Sequence, residues 1–444
     1  MNKFILRGFY ISLIYILLLQ SMGLVWAEDV SLSSTKQIGD PIIAGERKMG
    51  SQIALKKIIT NKLVIPTDFD EVHHVAWSPD SKYFAATVNT KTNFLVVVYN
   101  SKTYEIVKKL DVKKSGYYTG EEEKVYKGDV TFSPDGRYLA GGVGIVTLWD
   151  TKTWEPVKDI LGPFSRGSNA AGAVNSISFS PDSQSLAIFY DSVVWPETVR
   201  VDDLKSALEI AKNKSVKHLA SIMVFDVVTT HRLFAIKDIE RTAELGGKFT
   251  ANLAYTTNGK YLLSARVENH KLNAGEHYKY YTFLEFRNPQ TGEIMKEISN
   301  VHIMRIETLA ASFDSKYIAT GTTTTDKEAI FNESTKQWDT INNQDPIRIW
   351  NVESGEKVME LGPLRGAVRA LAFSPNNKVL VSCQTDKTSK ETIWLWDVAS
   401  GQLIERVNTP NSDSNFNSLA ISPDGHIIAM PVDNKIYLIS VQQN

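Results

Sequence analysis

A four-residue turn recurs seven times along this chain. The copies are Ser78-Pro79-Asp80-Ser81, Ser133-Pro134-Asp135-Gly136, Ser180-Pro181-Asp182-Ser183, Thr256-Thr257-Asn258-Gly259, Ser312-Phe313-Asp314-Ser315, Ser374-Pro375-Asn376-Asn377 and Ser422-Pro423-Asp424-Gly425. Pro presets φ at the second turn position, and Asp, Asn and Gly accept the bends that follow. An alternating apolar run precedes each turn, as in VNSISFS before the third and VRALAFS before the sixth. A second short apolar run follows, as in YLAGGV or KVLVSC. These are strand–turn–strand units with period-two patterning. Self-similarity of this kind calls for a repeat architecture rather than a set of unrelated domains.

A third strand with a shared ending lies downstream of each unit: VVVYN (96–100), VTLWD (146–150), IMVFD (222–226), FLEFRN (283–288), IRIWN (347–351), IWLWD (393–397) and KIYLIS (435–440). Six of the seven continue through a short turn into a fourth strand, as in Val398-Ala399-Ser400-Gly401 followed by QLIERV. With Ser-Pro-Asp-Gly closing the first hairpin and Trp-Asp ending the third strand, the chain from about residue 72 to 444 resembles the WD-repeat family. The resemblance implies an all-β fold, a seven-bladed β-propeller of four-stranded antiparallel blades, with no chemistry of its own. The Gly-His pair that usually opens such a repeat is missing, with Leu161-Gly162-Pro163 and Leu361-Gly362-Pro363 in its place. The Asp usual before the third strand has a clear counterpart only at Asp433. The family's buried polar network is therefore expected to be depleted.

The last unit stops after its third strand, near Val441, while Lys62-Leu63-Val64-Ile65 is an apolar strand with no unit of its own. The segment 61–66 is expected to supply the missing outer strand and so close the ring. That assigns 1–27 to a signal peptide, 28–58 to an irregular leader and 59–444 to the propeller. The signal assignment rests on Lys3 and Arg7, an uncharged Leu- and Ile-rich stretch from Phe9 to Trp26, and the polar Glu28-Asp29 after it. The chain is thus expected to be exported, to a periplasm or the medium, and to touch a membrane only if the segment stays uncleaved. The single Cys, Cys383, lies in the apolar run Val379–Cys383 and reads as a small buried hydrophobe, with no disulfide and no lipid-anchor cysteine after the leader. Removing residues 1–27 moves the formal net charge only from −1 to −3, which gives no basis for binding nucleic acid by bulk charge.

Length beyond that of a minimal blade is unevenly spread. It falls between second and third strands at 190–221, 266–281, 322–346 and 384–392, and between units at 111–128 and 161–174. Neighbouring strands of a blade are antiparallel, so both kinds of connection emerge on one side of the disc and the tight turns on the other. Long connections carry function more often than tight turns do. Asp202-Asp203 ahead of Leu204, Ala207, Leu208 and Ala211 predicts a short amphipathic helix over about 203–212. The insertions are rich in aromatics: Tyr117, Tyr118, Trp195, Tyr278, Tyr280, Tyr281, Phe331 and Trp338. Any one of these could fill the small core under a long loop; as a set they suit a protein interface.

Candidate chemistry is sparse. His73 and His74 are adjacent in a strand, which would point them to opposite faces and away from a shared metal. His270 and His277, near Glu268 and Glu276, have no rigid element to fix them, and Glu121-Glu122-Glu123 lacks calcium-loop spacing. No nucleophile elbow, phosphate loop or dinucleotide fingerprint occurs. Two echoing loops, Gly162–Gly167 and Gly362–Gly366, place Arg166 and Arg365 just before an inner strand. Together with Arg369 they are candidates for an axial anion site. The reading is an exported platform for a protein or peptide partner, acting through the face of the long connections, with no cofactor and no metal. The alternative is a secreted propeller hydrolase or small-anion binder with its site at the central opening.

Overall fold

The computed structural model describes residues 59–442 except 92, 114–127, 162–169, 195–216, 242–249, 272–277, 304, 323–327, 333–336, 342–344, 363–365, 386–390 and 409–417. The chain divides into two units, Met1–Lys57 and Ile58–Asn444, and the first lies outside the described residues together with the expected signal segment. The second is a seven-bladed propeller of four-stranded antiparallel blades.

The first strand, β1 (Ile59–Pro66), stands apart from the unit that follows it. Blade one is β2 (Glu71–Trp77), β3 (Tyr83–Asn89), β4 (Phe94–Asn100) and β5 (Ile106–Asp111). Blade two is β6 (Asp129–Phe132), β7 (Tyr138–Gly142), β8 (Ile145–Asp150) and β9 (Pro156–Leu161). Blade three is β10 (Ala170–Phe179), β11 (Ser185–Val194), β12 (Lys217–Asp226) and β13 (Arg232–Arg241). Blade four is β14 (Thr250–Tyr255), β15 (Leu262–Lys271), β16 (Tyr278–Arg287) and β17 (Ile294–Ser299). Blade five is β18 (Ile306–Ala311), β19 (Tyr317–Thr322), β22 (Ile347–Asn351) and β23 (Lys357–Leu361), with the hairpin β20 (Glu328–Asn332) and β21 (Gln337–Ile341) inserted between its second and third strands. Blade six is β24 (Val368–Phe373), β25 (Val379–Thr385), β26 (Glu391–Asp397) and β27 (Leu403–Asn408). Blade seven is β28 (Ala420–Ile421), β29 (Ile427–Val432) and β30 (Lys435–Val441), completed by β1 as its outer strand, with Leu63 opposite Leu438 and Val64 opposite Tyr437. No helix occurs among the described residues; the helix expected at 203–212 falls outside them.

The hydrophobic core is divided among the spaces between blades. Each of seven buried clusters draws on two neighbouring blades: Leu148 and Ile160 of blade two meet Ile177, Ile188 and Tyr190 of blade three. Across the closure, Ala429, Ile436 and Leu438 of blade seven meet Phe84 and Tyr99 of blade one. Both faces of a blade are therefore buried, which explains near-continuous apolar runs such as FLVVVY. Each fully buried Leu, Ile or Phe contributes roughly 1.5–3 kcal/mol, so no blade is stable without its neighbours. Cys383 is fully buried in one of these clusters, its Sγ 3.8 Å from Met430 Sδ.

The recurring turn has a local cause. In the first copy Ser78 Oγ accepts the Tyr83 N–H at 2.9 Å and donates to Asp80 Oδ1 at 2.8 Å, while that carboxylate accepts the Lys82 N–H at 3.1 Å. The fourth residue takes positive φ in all seven copies, from Ser81 at 56° to Gly425 at 76°. The Asp or Asn that ends six of the third strands caps the next turn by accepting the backbone N–H three residues on, and in several copies the one two residues on as well. Asn351, for example, takes Glu353 and Ser354, both at 2.9 Å. These two turns hold one side of the disc.

The polar network expected to be depleted survives complete in blade five. Trp350 Nε1 donates to Thr320 Oγ1 at 2.9 Å, His302 Nε2 lies 2.9 Å from that hydroxyl, and His302 Nδ1 lies 3.1 Å from Asp345 Oδ2. Asp345 also accepts the Ile303 N–H at 3.0 Å and pairs with Arg348 at 3.0 Å. Burial holds the His302 imidazole below its ordinary value, hence neutral. Burial alone would raise the Asp345 carboxyl, but its hydrogen bond to His302 and the nearby positive charge keep it below the ordinary range. The same Trp–hydroxyl bond recurs in blade six between Trp396 Nε1 and Ser382 Oγ at 2.9 Å. In blade four an arginine stands at the Trp position, and Arg287 Nε reaches Ser264 Oγ at 3.0 Å. The register places Tyr99, Trp149, Phe225 and Ile439 at that position in the other blades, with Ala86, Gly141, Ile188 and Met430 where the hydroxyl would be. Those four blades are held at this point by packing, without a hydroxyl to bond.

Candidate interaction face

Strand alternation sends the connections between second and third strands, and those between blades, to the side opposite the seven tight turns. The described parts of these connections are mostly ladder, not loop. All four strands of blade three run ten residues, and β11 and β12 stay paired to Val194 opposite Lys217. In blade four only β15 and β16 lengthen, to ten residues each, paired to Lys271 opposite Tyr278. Blade five adds the separate hairpin β20–β21. The sequence segments 190–221 and 266–281 read as loops because they are polar. β-Branched and aromatic residues (Val193, Val194, Val267, Tyr278, Tyr280, Tyr281) instead extend a ladder that already exists, which spares the entropy of closing a long loop.

Of the aromatic candidates, Tyr280 is the register partner of Asn269 and Tyr278 of Lys271, both on the blade-four arm. Phe331 and Trp338 are register partners of each other in the β20–β21 hairpin. The structure thus brings each pair onto one element. Tyr117, Trp195, Arg166 and Arg365 lie outside the described residues. Arg369 lies on β24, half-buried, where the pairing with β25 slips between Val368 and Ala370.

That slip is one of a series. The innermost strands also break register between Val72 and Val75, Val174 and Ser176, Ala251 and Ala254, and Ile306 and Thr308. Bulges re-aim the residues they hold. Here they hold His73-His74, Asn175, Asn252-Leu253, Glu307 and Arg369, so polar groups collect on the strands that line the axis, toward the elaborated side. The first bulge falls at the two histidines, whose rings take different partners. The His73 ring stacks on Phe94, with centroids 6.2 Å apart and planes 7° apart, while His74 Nδ1 lies 3.1 Å from Asp129 Oδ1. Asp129 also accepts the Val130 and Ile177 N–H groups, each at 2.7 Å, and so links blades one, two and three. Ser418 takes the Val75 N–H at 3.3 Å and Ser176 the Leu253 N–H at 3.0 Å in the same manner. The signal for Asp129 was present in the sequence. The residue four before six of the seven tight turns is polar (His74, Asp129, Ser176, Asn252, Thr308 and Ser418) within otherwise apolar strands, with Ala370 at the seventh. Of these, His74 and Asp129 bond to each other, and Asp129, Ser176 and Ser418 bond to backbone N–H groups of neighbouring strands. Among the described residues no cluster of three His, Cys, Asp or Glu side chains could hold a metal ion.

Residues 355–397, from the turn before β23 to the end of β26, match the WD40 family, described as WD domain, G-beta repeat. The matched stretch contains the Ser382–Trp396 hydrogen bond and the Asp397 cap. Among solved structures, a chain of "Crystal Structure of Mitotic Checkpoint Complex" superposes with a TM-score of 0.56 over 94% of this chain and 99% of that one, at 16% sequence identity. At that identity the likeness shows the fold. No curated protein sequence matches the chain.

Proposed function

We propose that this propeller is an exported platform that binds a protein or peptide through its elaborated face, over blades three to six. Propellers of the WD-repeat kind typically serve as protein-interaction platforms, and the solved structure quoted above is titled as a complex. The observation that carries the finer reading is the asymmetry of the disc. Among the described residues one side has tight, self-capped turns, while the other projects the blade-three and blade-four strands and the β20–β21 hairpin with its Phe331–Trp338 pair. Paired strands that carry aromatics give contact area at lower entropic cost than open loops. Export is supported by the basic, apolar and polar succession of residues 3–29.

The test is capture with the tagged full chain, alongside a variant whose hairpin residues 328–341 are replaced by a short Gly/Ser loop, which leaves Asp345 in place, and a second with substitutions in the tight turns. A partner lost with the hairpin and retained by the turn variant supports the reading. Loss by the turn variant alone, with both proteins folded, overturns it. N-terminal sequencing of exported protein is expected to start near Glu28, and a retained Met1 would refute cleavage. A second reading, a small-anion or hydrolase site at the axis, is favoured by the polar bulges and Arg369. It predicts anion-induced thermal stabilisation that Arg369→Gln abolishes.

A further inference from the structure

The blade-four arm differs from its neighbour in blade three, whose four strands lengthen together. Arg266 and Phe283 are register partners; Arg266 opposite Thr250 is the last pairing toward β14, and Phe283 opposite Ser299 the last toward β17. Past Thr282, which still receives the Val301 and His302 N–H groups, β15 and β16 continue as a two-stranded ribbon from Glu268–Tyr281 to Lys271–Tyr278. Among the described residues neither β14 nor β17 accompanies it. That ribbon is about 14 Å long, and a two-stranded ribbon alone is marginal in water. Its direction must be set where it leaves the blade.

At that point sits a charge cluster centred on Arg266. Its Nε lies 2.6 Å from Glu285 Oε1 on β16, its Nη2 2.6 Å from Glu297 Oε2 on β17, and its Nη1 pairs with Glu268 on β15. The guanidinium lies over the Phe283 ring at 3.9 Å. Glu285, itself almost fully buried, is held independently by Arg287 Nη2 at 2.6 Å and Ser264 Oγ at 2.8 Å. One planar fork therefore ties three strands together where, among the described residues, the four-stranded blade gives way to the ribbon, and a lysine could not reproduce it.

We infer that Arg266 is a positioning residue: it fixes the direction in which the blade-four arm, with Tyr278 and Tyr280, projects from the elaborated face. Only the use of the arm rests on the platform reading; the pivot itself is testable with no partner present. Spin labels at Lys271→Cys and Gln290→Cys, on the arm and on the opposite side of the same blade, report the arm's direction as a distance distribution. Native Cys383, being fully buried, stays in place. The full chain should give one narrow distance peak, and Arg266→Gln should lose it while the ring's thermal transition persists, because Arg287 still neutralises Glu285. Should Arg266→Gln fail to fold, the double variant Glu268→Gln/Glu297→Gln decides. It leaves the buried pairs intact, removes the charge of Glu297 that ties β15 to β17 and of Glu268 that braces Arg266 within β15, and should broaden the peak. A broad distribution in the parent chain overturns the inference, as does a peak that stays narrow in every folded variant. Partner affinity that falls with Arg266→Gln in step with the broadening ties the pivot to binding.

Discussion

Replacing Asp345 with alanine should cost about 2–4 kcal/mol, because it takes a charged acceptor away from several donors at once, one of them fully buried. The estimate follows from what each partner can do afterwards. Ile303 is partly exposed, so its N–H can turn to water. Arg348 keeps Glu360, 3.1 Å from its Nε. His302, fully buried, has no such escape and leaves a ring nitrogen without an acceptor. Thr320→Val should cost less, about 1–3 kcal/mol for the Trp350 Nε1–H left unsatisfied. Since both act through His302, the double variant should fall short of the sum. Urea unfolding followed by tryptophan fluorescence reads all three. A cost below about 1 kcal/mol for Asp345→Ala, or strict additivity of the two changes, would refute the claim that Asp345, His302, Thr320 and Trp350 act as one buried chain.

Other consequences are equally direct. The folded His302 resists protonation, so its contribution is complete above the ordinary histidine value of about 6.5 and is lost as the pH falls below it, because the unfolded chain then binds the proton more readily. Asp345, held low, adds a loss at lower pH still, so urea midpoints should decline from pH 7 to 5 and the decline should be shallower in His302→Gln. Gly292→Ala should destabilise more than Gly259→Ala, by about 1–3 kcal/mol. Both glycines have positive φ, but a Cβ at Gly292 would come within 2.6 Å of Phe234 Cε2 while one at Gly259 meets nothing within 4 Å. Deleting residues 1–66 removes β1 and bares the β30 edge, so light scattering should show association that the full chain lacks.

Much of the architecture was legible because it is local and repeated. The Ser–Asp turn bonds within itself, so its residues announce it wherever it occurs. β1 was legible for a different reason: an apolar strand without a unit pairs with a unit short of a strand, and the structure joins them at Ile59–Pro66. Asp345 and His302 were not, because they meet across 42 residues of sequence that include an inserted hairpin, and neither sits in its familiar dipeptide. The bulges were invisible for a physical reason too. Alternation predicts sides only while the register holds, and the innermost strand of blade one slips between Val72 and Val75. The charge cluster at Arg266 draws on Glu268, Glu285 and Glu297, which fall on three strands and become a set only once the blade is assembled.

The central claim, that the elaborated face is the binding surface, is tested most directly by hydrogen exchange on the captured complex. New protection is expected in the blade-four arm (residues 267–282) and the β20–β21 hairpin (328–341), with the seven tight turns exchanging as in the free protein. Protection confined to Ser78–Ser81, Ser312–Ser315 and their counterparts, with both arms unchanged, would contradict it.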